Sequence, residues 1–211
     1  MAIDIISSLN WRYATKRFDS AKKLSPEQLS TLKEAFNLTA TSYGLQPLKM
    51  LVIQDQTIKE QLVPLSMDQP QVRDASHVLV FCVQSELTKA HINDYFSNVQ
   101  RLRDTPKEVL APFKDHIIDT FSDKEATEVA NWMTKQAYLA MGNLLTVCAL
   151  EGIDSCPMEG FQPDAYDALL GLQELGLKSV LVMPVGFRAQ DDMFASMKKV
   201  RRGVQEVVID Y

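Results

Sequence analysis

Two short basic runs stand out in a chain that is otherwise acidic. They are Arg12-Tyr13-Ala14-Thr15-Lys16-Arg17 and Lys198-Lys199-Val200-Arg201-Arg202, set among 22 Lys and Arg against 27 Asp and Glu. Guanidinium forks and ammonium groups in such clusters can hold a phosphate dianion. On charge alone, solvated surface faces are the first reading and a phosphate site the second. The chain has neither G-x-G-x-x-G nor a Walker A motif, so a bound anionic cofactor would have to be held by side chains. A third place is Pro157-Met158-Glu159-Gly160, where the glycine admits close approach to the backbone, although a plain turn explains it too. A fourth is the hydroxyl-rich loop from Thr39 to Pro47, with Thr41, Ser42 and Gly44, which by itself reads simply as a loop. No metal site is expected, because His77, His91 and His116 are scattered and no cysteine pair has zinc spacing. His77 borders an apolar run and reads as a hydrogen-bonded structural histidine. Cys82, Cys148 and Cys156 are odd in number and read as buried apolar residues of a reduced, cytoplasmic protein, not as nucleophiles.

The elements that would carry these residues follow from periodicity and caps. Apolar spacing predicts a helix over 3–9. Ser25, Pro26 and Gln28 form a capping-box pattern that opens a helix running to Asn37. Strands are expected at 48–54, 75–83 and 178–186, with a terminal strand at 204–211. The nearly all-apolar run at 75–83 implies cover on both faces. Short helices are expected at 58–65 and 163–170, polar helices at 86–103 and 106–118, and a short extended piece at 153–157. Ser122-Asp-Lys-Glu125 repeats the capping-box pattern and would open the longest helix, 123–151. That helix is apolar almost all round, which calls for burial in a core or a subunit interface. Helices separating apolar strands imply a central sheet covered on both sides.

With 46% hydrophobic residues in 211, the chain can bury a full core and reads as one domain, 1–211. The mildly acidic balance argues against general nucleic-acid binding. No apolar run approaches the roughly 20 residues of a membrane span. The N-terminus lacks the basic and apolar regions of a signal peptide.

Taken in order, Arg12-x-x-x-Lys16-x-Phe18, Thr41-Ser42 with Gln46-Pro47, Asp74-Ala-Ser-His77, Trp132-x-x-Lys135-Gln136, Gly142-Asn143, Pro157-x-Glu-Gly160 and Lys199-x-Arg201 resemble the nitroreductase family of FMN enzymes. The resemblance runs from about residue 3 to the C-terminus. Each motif alone is weak, and their order along nearly the whole chain is specific. It implies an α+β fold, a mixed central sheet flanked by helices, in an intertwined homodimer. The segment 204–211 would reach the partner subunit.

The resemblance also implies roles for individual residues. Arg12, Lys199 and Arg201 would hold the FMN phosphate, with Tyr13 and Ala14 beside it. Lys16 would lie at the pyrimidine edge, where a cation stabilises negative charge that develops on reduction. Pro157, Met158, Glu159 and Gly160 would border the flavin, the Glu159–Gly160 backbone offering an N–H toward N5. Thr41, Ser42 and Gly44 would come from the other subunit, and Asp68 and Gln71 would face the pyrimidine ring. Ser42, Tyr43 and Ile118 would border the substrate.

Four positions depart from the family pattern, one of them Ile118, which aligns near an aromatic that closes the substrate pocket in relatives. Ala14 replaces a serine that reaches the phosphate. Tyr13 replaces a histidine and would act mainly through its backbone. Asp68 replaces an asparagine and, while ionised, can accept but not donate. The implied activity is hydride transfer from NADH or NADPH, through FMN, to nitroaromatics, quinones or similar small acceptors by ping-pong exchange. The alternatives are an FMN-dependent reductase of one specific metabolite, enone or dihydropteridine-like, and a non-catalytic flavin-binding dimer.

Overall fold

The computed structural model describes residues 4–211. The first helix, α1 (Ile5–Trp11), starts where the Asp4 carboxylate accepts the Ser7 N–H. The expected helix began at Ile3, which lies outside the described residues. In α2 (Pro26–Asn37) the capping box forms, Ser25 Oγ accepting the Gln28 N–H and Gln28 Oε1 accepting that of Ser25. Next come β1 (Leu48–Ile53), α3 (Gln56–Leu62), α4 (Gln71–Asp74) and β2 (His77–Gln84). Beyond β2 lie α5 (Lys89–Arg103), α6 (Lys107–Ser122) and the long α7 (Ala126–Leu150). The chain ends through β3 (Asp154–Ser155), α8 (Pro163–Leu169), β4 (Leu177–Gly186) and α9 (Val204–Val207).

The sheet order is β1-β2-β4-β3, and these strands pair antiparallel. The one parallel pairing among the described residues is an isolated bridge, Ala14 to Ser155. Strand β2 lies inside the sheet, and alternation sends its side chains to two cores. Val78, Val80 and Cys82 pack with Leu62, Val72 and Tyr166 from α3, α4 and α8. Leu79, Phe81 and Val83 pack with Leu32 of α2 and Met133, Ala137 and Leu144 of α7. A third cluster joins Leu45 to Ile92 and Phe96 of α5 and Ile117 and Phe121 of α6.

Two expected elements differ. The Ser122 capping box does not form, because α6 continues through Ser122 and its helical backbone cannot serve as a cap. Helix α7 starts after Glu125 without a side-chain cap, while Lys124 pairs with Glu128. Residues 204–211 are not a strand among the described residues. They make one helical turn, α9, and then an extended end with no ladder partner. A strand requires a neighbouring edge to pair with, and this segment reaches none among the described residues. Its apolar residues stay outside, Ile209 at 76% exposure. The all-round apolar α7 is likewise only partly covered. Met133, Ala137, Ala140 and Leu144 are buried, whereas Leu139 is 55% exposed. Among the described residues, no helix is long and apolar enough to cross a membrane.

Candidate functional site

The segment after α1 is held at the sheet edge by backbone pairing. The Thr15 N–H donates to Ser155 O, the Asp19 N–H to Phe187 O, and the Ala189 N–H to Arg17 O. Residues 12–19 thus run along β3 and the exit of β4. Behind them, Arg188 forms an ion pair with Asp154 at 2.6 Å and lies over the rings of Trp11 and Tyr13, at 4.2 and 4.6 Å. Such a guanidinium is bound by charge on one side and by ring quadrupoles on the other.

The two basic runs meet in a cleft of about 430 Å³, lined by Trp11, Arg12, Ala14, Lys16, Lys199 and Arg201 among others. Lys199 Nζ donates to Arg12 O. Arg12 Nε is buried and has no partner among the described residues. Burial, then Arg201, pushes the Arg12 guanidinium below its ordinary range, and burial, then Arg12 and Arg201, does the same to Lys199. Three neighbouring cations, one with a buried donor that lacks a partner among the described residues, have the chemistry to suit a dianion. The residues present therefore fit a phosphate group.

Asp192 ties the first run to the turn at Phe194 that leads towards the second. Its Oδ2 accepts the Tyr13 hydroxyl at 2.9 Å, the Lys16 N–H at 2.9 Å and the Arg17 N–H at 3.0 Å. Its Oδ1 accepts the Phe194 N–H at 3.1 Å. Burial would raise this carboxyl, but the N–H groups of Arg17, Lys16 and Phe194 and the Tyr13 hydroxyl outweigh it and hold the group below the ordinary range. Sequence reasoning missed Asp192 along with Arg188 and Asp154. The only hint was an acidic pair, Asp191-Asp192, just beyond a strand. It also assigned Tyr13 to its backbone, whereas its hydroxyl and ring both carry contacts.

Lys16 Nζ lies 3.9 Å from Cys156 Sγ. Burial pushes the Cys156 thiol up, opposed by the Lys16 ammonium and a hydrogen bond from Gln71. Gln71 Nε2 donates to Gln69 Oε1 and Gln69 Nε2 to Gly160 O, at 3.3 and 3.2 Å. Lys16, Gln71 and Gly160 therefore belong to one constellation, which also takes in Gln69 and Cys156, unforeseen in the sequence. Asp68 is exposed in a left-handed turn (φ 55°), and its neighbour Gln69 makes the inward contact. The loop Pro157-Met158-Glu159-Gly160 leaves the sheet after Met158, which exchanges backbone hydrogen bonds with Val182. Among the described residues, the next two amides, Glu159 and Gly160, meet no acceptor. The Glu159 carboxylate accepts the Tyr138 hydroxyl at 2.6 Å.

The loop with Thr41 to Gly44 lies elsewhere, sharing no lining residue with the cationic cleft. Gln136 Oε1 accepts the Ser42 N–H at 2.9 Å. Tyr43 packs on Phe113, Phe121 and Trp132. Gly44 has φ +72°, and a Cβ there would come within 2.7 Å of Tyr95 Oη. Ile118 packs in the neighbouring aromatic cluster. Within one chain, Thr41, Ser42, Tyr43, Gly44 and Ile118 therefore group together, apart from Arg12 and Lys199.

Comparison with known proteins gives the family and the fold. A model of the "Nitroreductase family" matches residues 9–187. A Staphylococcus epidermidis protein named "Putative NAD(P)H nitroreductase" is 34% identical over 217 residues, covering 97% of this chain and 95% of its own length. The crystal structure of a nitroreductase-like protein from Streptococcus mutans has TM-score 0.86 at 24% identity, covering 100% of both chains. A structure described as a "putative nitroreductase in complex with FMN", from Exiguobacterium sibiricum, has TM-score 0.84 at 20% identity over 100% of this chain and 99% of that one. At these identities the two structures speak for the fold.

Proposed function

The chain belongs to the nitroreductase family, and from that premise we propose that it is an FMN-dependent NAD(P)H oxidoreductase working as a homodimer. The observation that carries the reading is the cation cluster of Arg12, Lys199 and Arg201, with its buried orphan Arg12 Nε. Arg12, Lys199 and Arg201 would hold the phosphate, and Tyr13 and Ala14 would form the adjoining wall. Bound FMN would supply two-electron chemistry, accepting hydride at N5 from NADH or NADPH and passing it, in a ping-pong cycle, to a nitroaromatic, quinone or similar acceptor.

The chain's own residues would bind and polarise. The Lys16 ammonium would stand where negative charge grows on reduction, and Gln71 and Gln69 would offer amides beside it. Asp68, exposed beside Gln69, would contact the ring only after its turn rearranged. The unpaired Glu159 and Gly160 N–H groups would donate toward the reacting edge, with Pro157 and Met158 fixing where that loop leaves the sheet. Thr41, Ser42 and Gly44 would reach the same site from the second subunit, and Ser42, Tyr43 and Ile118 would border the acceptor. The exposed apolar strip of α7 and the segment 204–211 would then be covered by the partner. Three buried free thiols suit a cytoplasmic location.

The test is to purify the protein without added flavin, record its visible spectrum, and add NADH or NADPH under nitrogen. A yellow protein that bleaches, and recovers with a quinone or nitroaromatic, supports both half-reactions. A colourless protein that takes up no added FMN overturns the proposal. A panel of quinone, nitroaromatic and enone acceptors ranks the substrates.

A further inference from the structure

We propose that Asp192 is a positioning residue that sets phosphate affinity by clamping the two cationic segments to each other. The proposal rests on the FMN reading above. One carboxylate oxygen takes three donors from residues 13–17, and the other takes the Phe194 N–H that starts the path to Lys199 and Arg201. Arg12, Lys199 and Arg201 carry like charges in one cleft; after burial, Arg201 lowers Arg12, and Arg12 and Arg201 lower Lys199. Segments carrying like charges separate unless something holds them. Asp192, only 4% exposed, bonds the first segment and the Phe194 turn that leads into the second, beside the direct bond from Lys199 Nζ to Arg12 O. Tyr13 serves the same clamp, since its hydroxyl bonds Asp192 while its ring lies against Arg188.

A second effect opposes the first. Asp192 is itself negative, so pure Coulomb repulsion would make its removal tighten phosphate binding. The two effects predict opposite signs. The clamp should win, because the charge of Asp192 is already matched by four donors, whereas those donors lose a charged acceptor when it is replaced.

The experiment compares affinities for FMN and riboflavin, which differ by the phosphate, in the wild-type apoprotein and in Asp192→Asn and Tyr13→Phe. The expected result is an FMN affinity weakened about ten- to a hundred-fold in Asp192→Asn, the scale of a hydrogen bond to a charged group, with riboflavin affinity little changed. Tyr13→Phe, which keeps the carboxylate and the ring, should give a smaller loss of the same phosphate-specific kind and covers the case of an Asp192→Asn protein that does not fold. An unchanged or increased FMN-to-riboflavin affinity ratio in the variants overturns the proposal. So does an equal loss for both ligands, which is what general unfolding produces. Wild-type protein that binds neither ligand overturns the FMN reading instead.

Discussion

At the scale of single residues, the site is a problem of charge held in place. Arg12 is half-buried with an unpartnered Nε, Lys199 caps its carbonyl, and Lys16 stands by Cys156 and the Gln71–Gln69 pair. If Lys16 supplies the cation at the reducible edge, Lys16→Met should slow the reductive half-reaction by about tenfold or more. Stopped-flow reduction by NADH or NADPH measures this, and unchanged rates and FMN affinity would remove the role. Arg201→Ala should weaken FMN binding and reduce its salt dependence, because one fewer cation faces the phosphate. Titration at two ionic strengths reads both effects, and a salt dependence equal to wild type would count against that placement.

At the scale of elements, stability depends on how helices cover the sheet. Leu32 of α2 is fully buried against Phe81, Ala137 and their neighbours, so Leu32→Ala should cost about 2–5 kcal/mol in urea denaturation. A cost below about 1 kcal/mol would mean that α2 repacks easily. Lys59 of α3 is stranger, a fully buried lysine whose Nζ donates to Ala75 O at 2.7 Å. Burial, and then Lys23, lowers its pKa from 10.5 to about 8. Between those values the unfolded chain binds more protons than the folded one, so stability rises with pH across that window. The penalty for charged Lys59 is therefore fully present below about pH 8 and is relieved towards pH 10.5. Wild type should gain stability relative to Lys59→Met over that range. A constant difference between the two proteins would show that Lys59 titrates normally.

At the scale of the whole molecule, α7 and the C-terminal segment leave apolar side chains outside the described chain's cores. Leu139, Val204 and Ile209 stand outside, and a cleft of about 500 Å³ beside Tyr138, Gly142, Leu145 and Pro157 opens next to the Glu159 loop. A second copy covering this surface would also bring Ser42 and Gly44 to the site, which a single chain leaves apart from Arg12. Leu139→Glu should then shift sedimentation towards the monomer and weaken FMN binding together. Removing residues 204–211 should act in the same direction. A dimer of unchanged strength in both variants would place the interface elsewhere.

Local physics made much of this legible in the sequence. The Ser25–Gln28 box, the burial of Val78 to Val83 on both faces and the strand expected at 178–186, found at Leu177–Gly186, follow from neighbouring residues alone. Ordered motifs carried the family and, with it, the grouping of Arg12, Lys199 and Arg201. Contacts made across the fold were not legible. Ser122 has the pattern of a cap yet continues α6, because packing of Ile117 and Phe121 extends that helix. Residues 204–211 alternate like a strand yet lack an edge to pair with. Gln69 displaced Asp68 because a left-handed turn decides which side chain faces Gly160. Asp192 joins Tyr13 across 179 positions of sequence. That contact exists only because β4 exits beside β3, where residues 12–19 already lie, and no local pattern encodes which segments a sheet edge brings together.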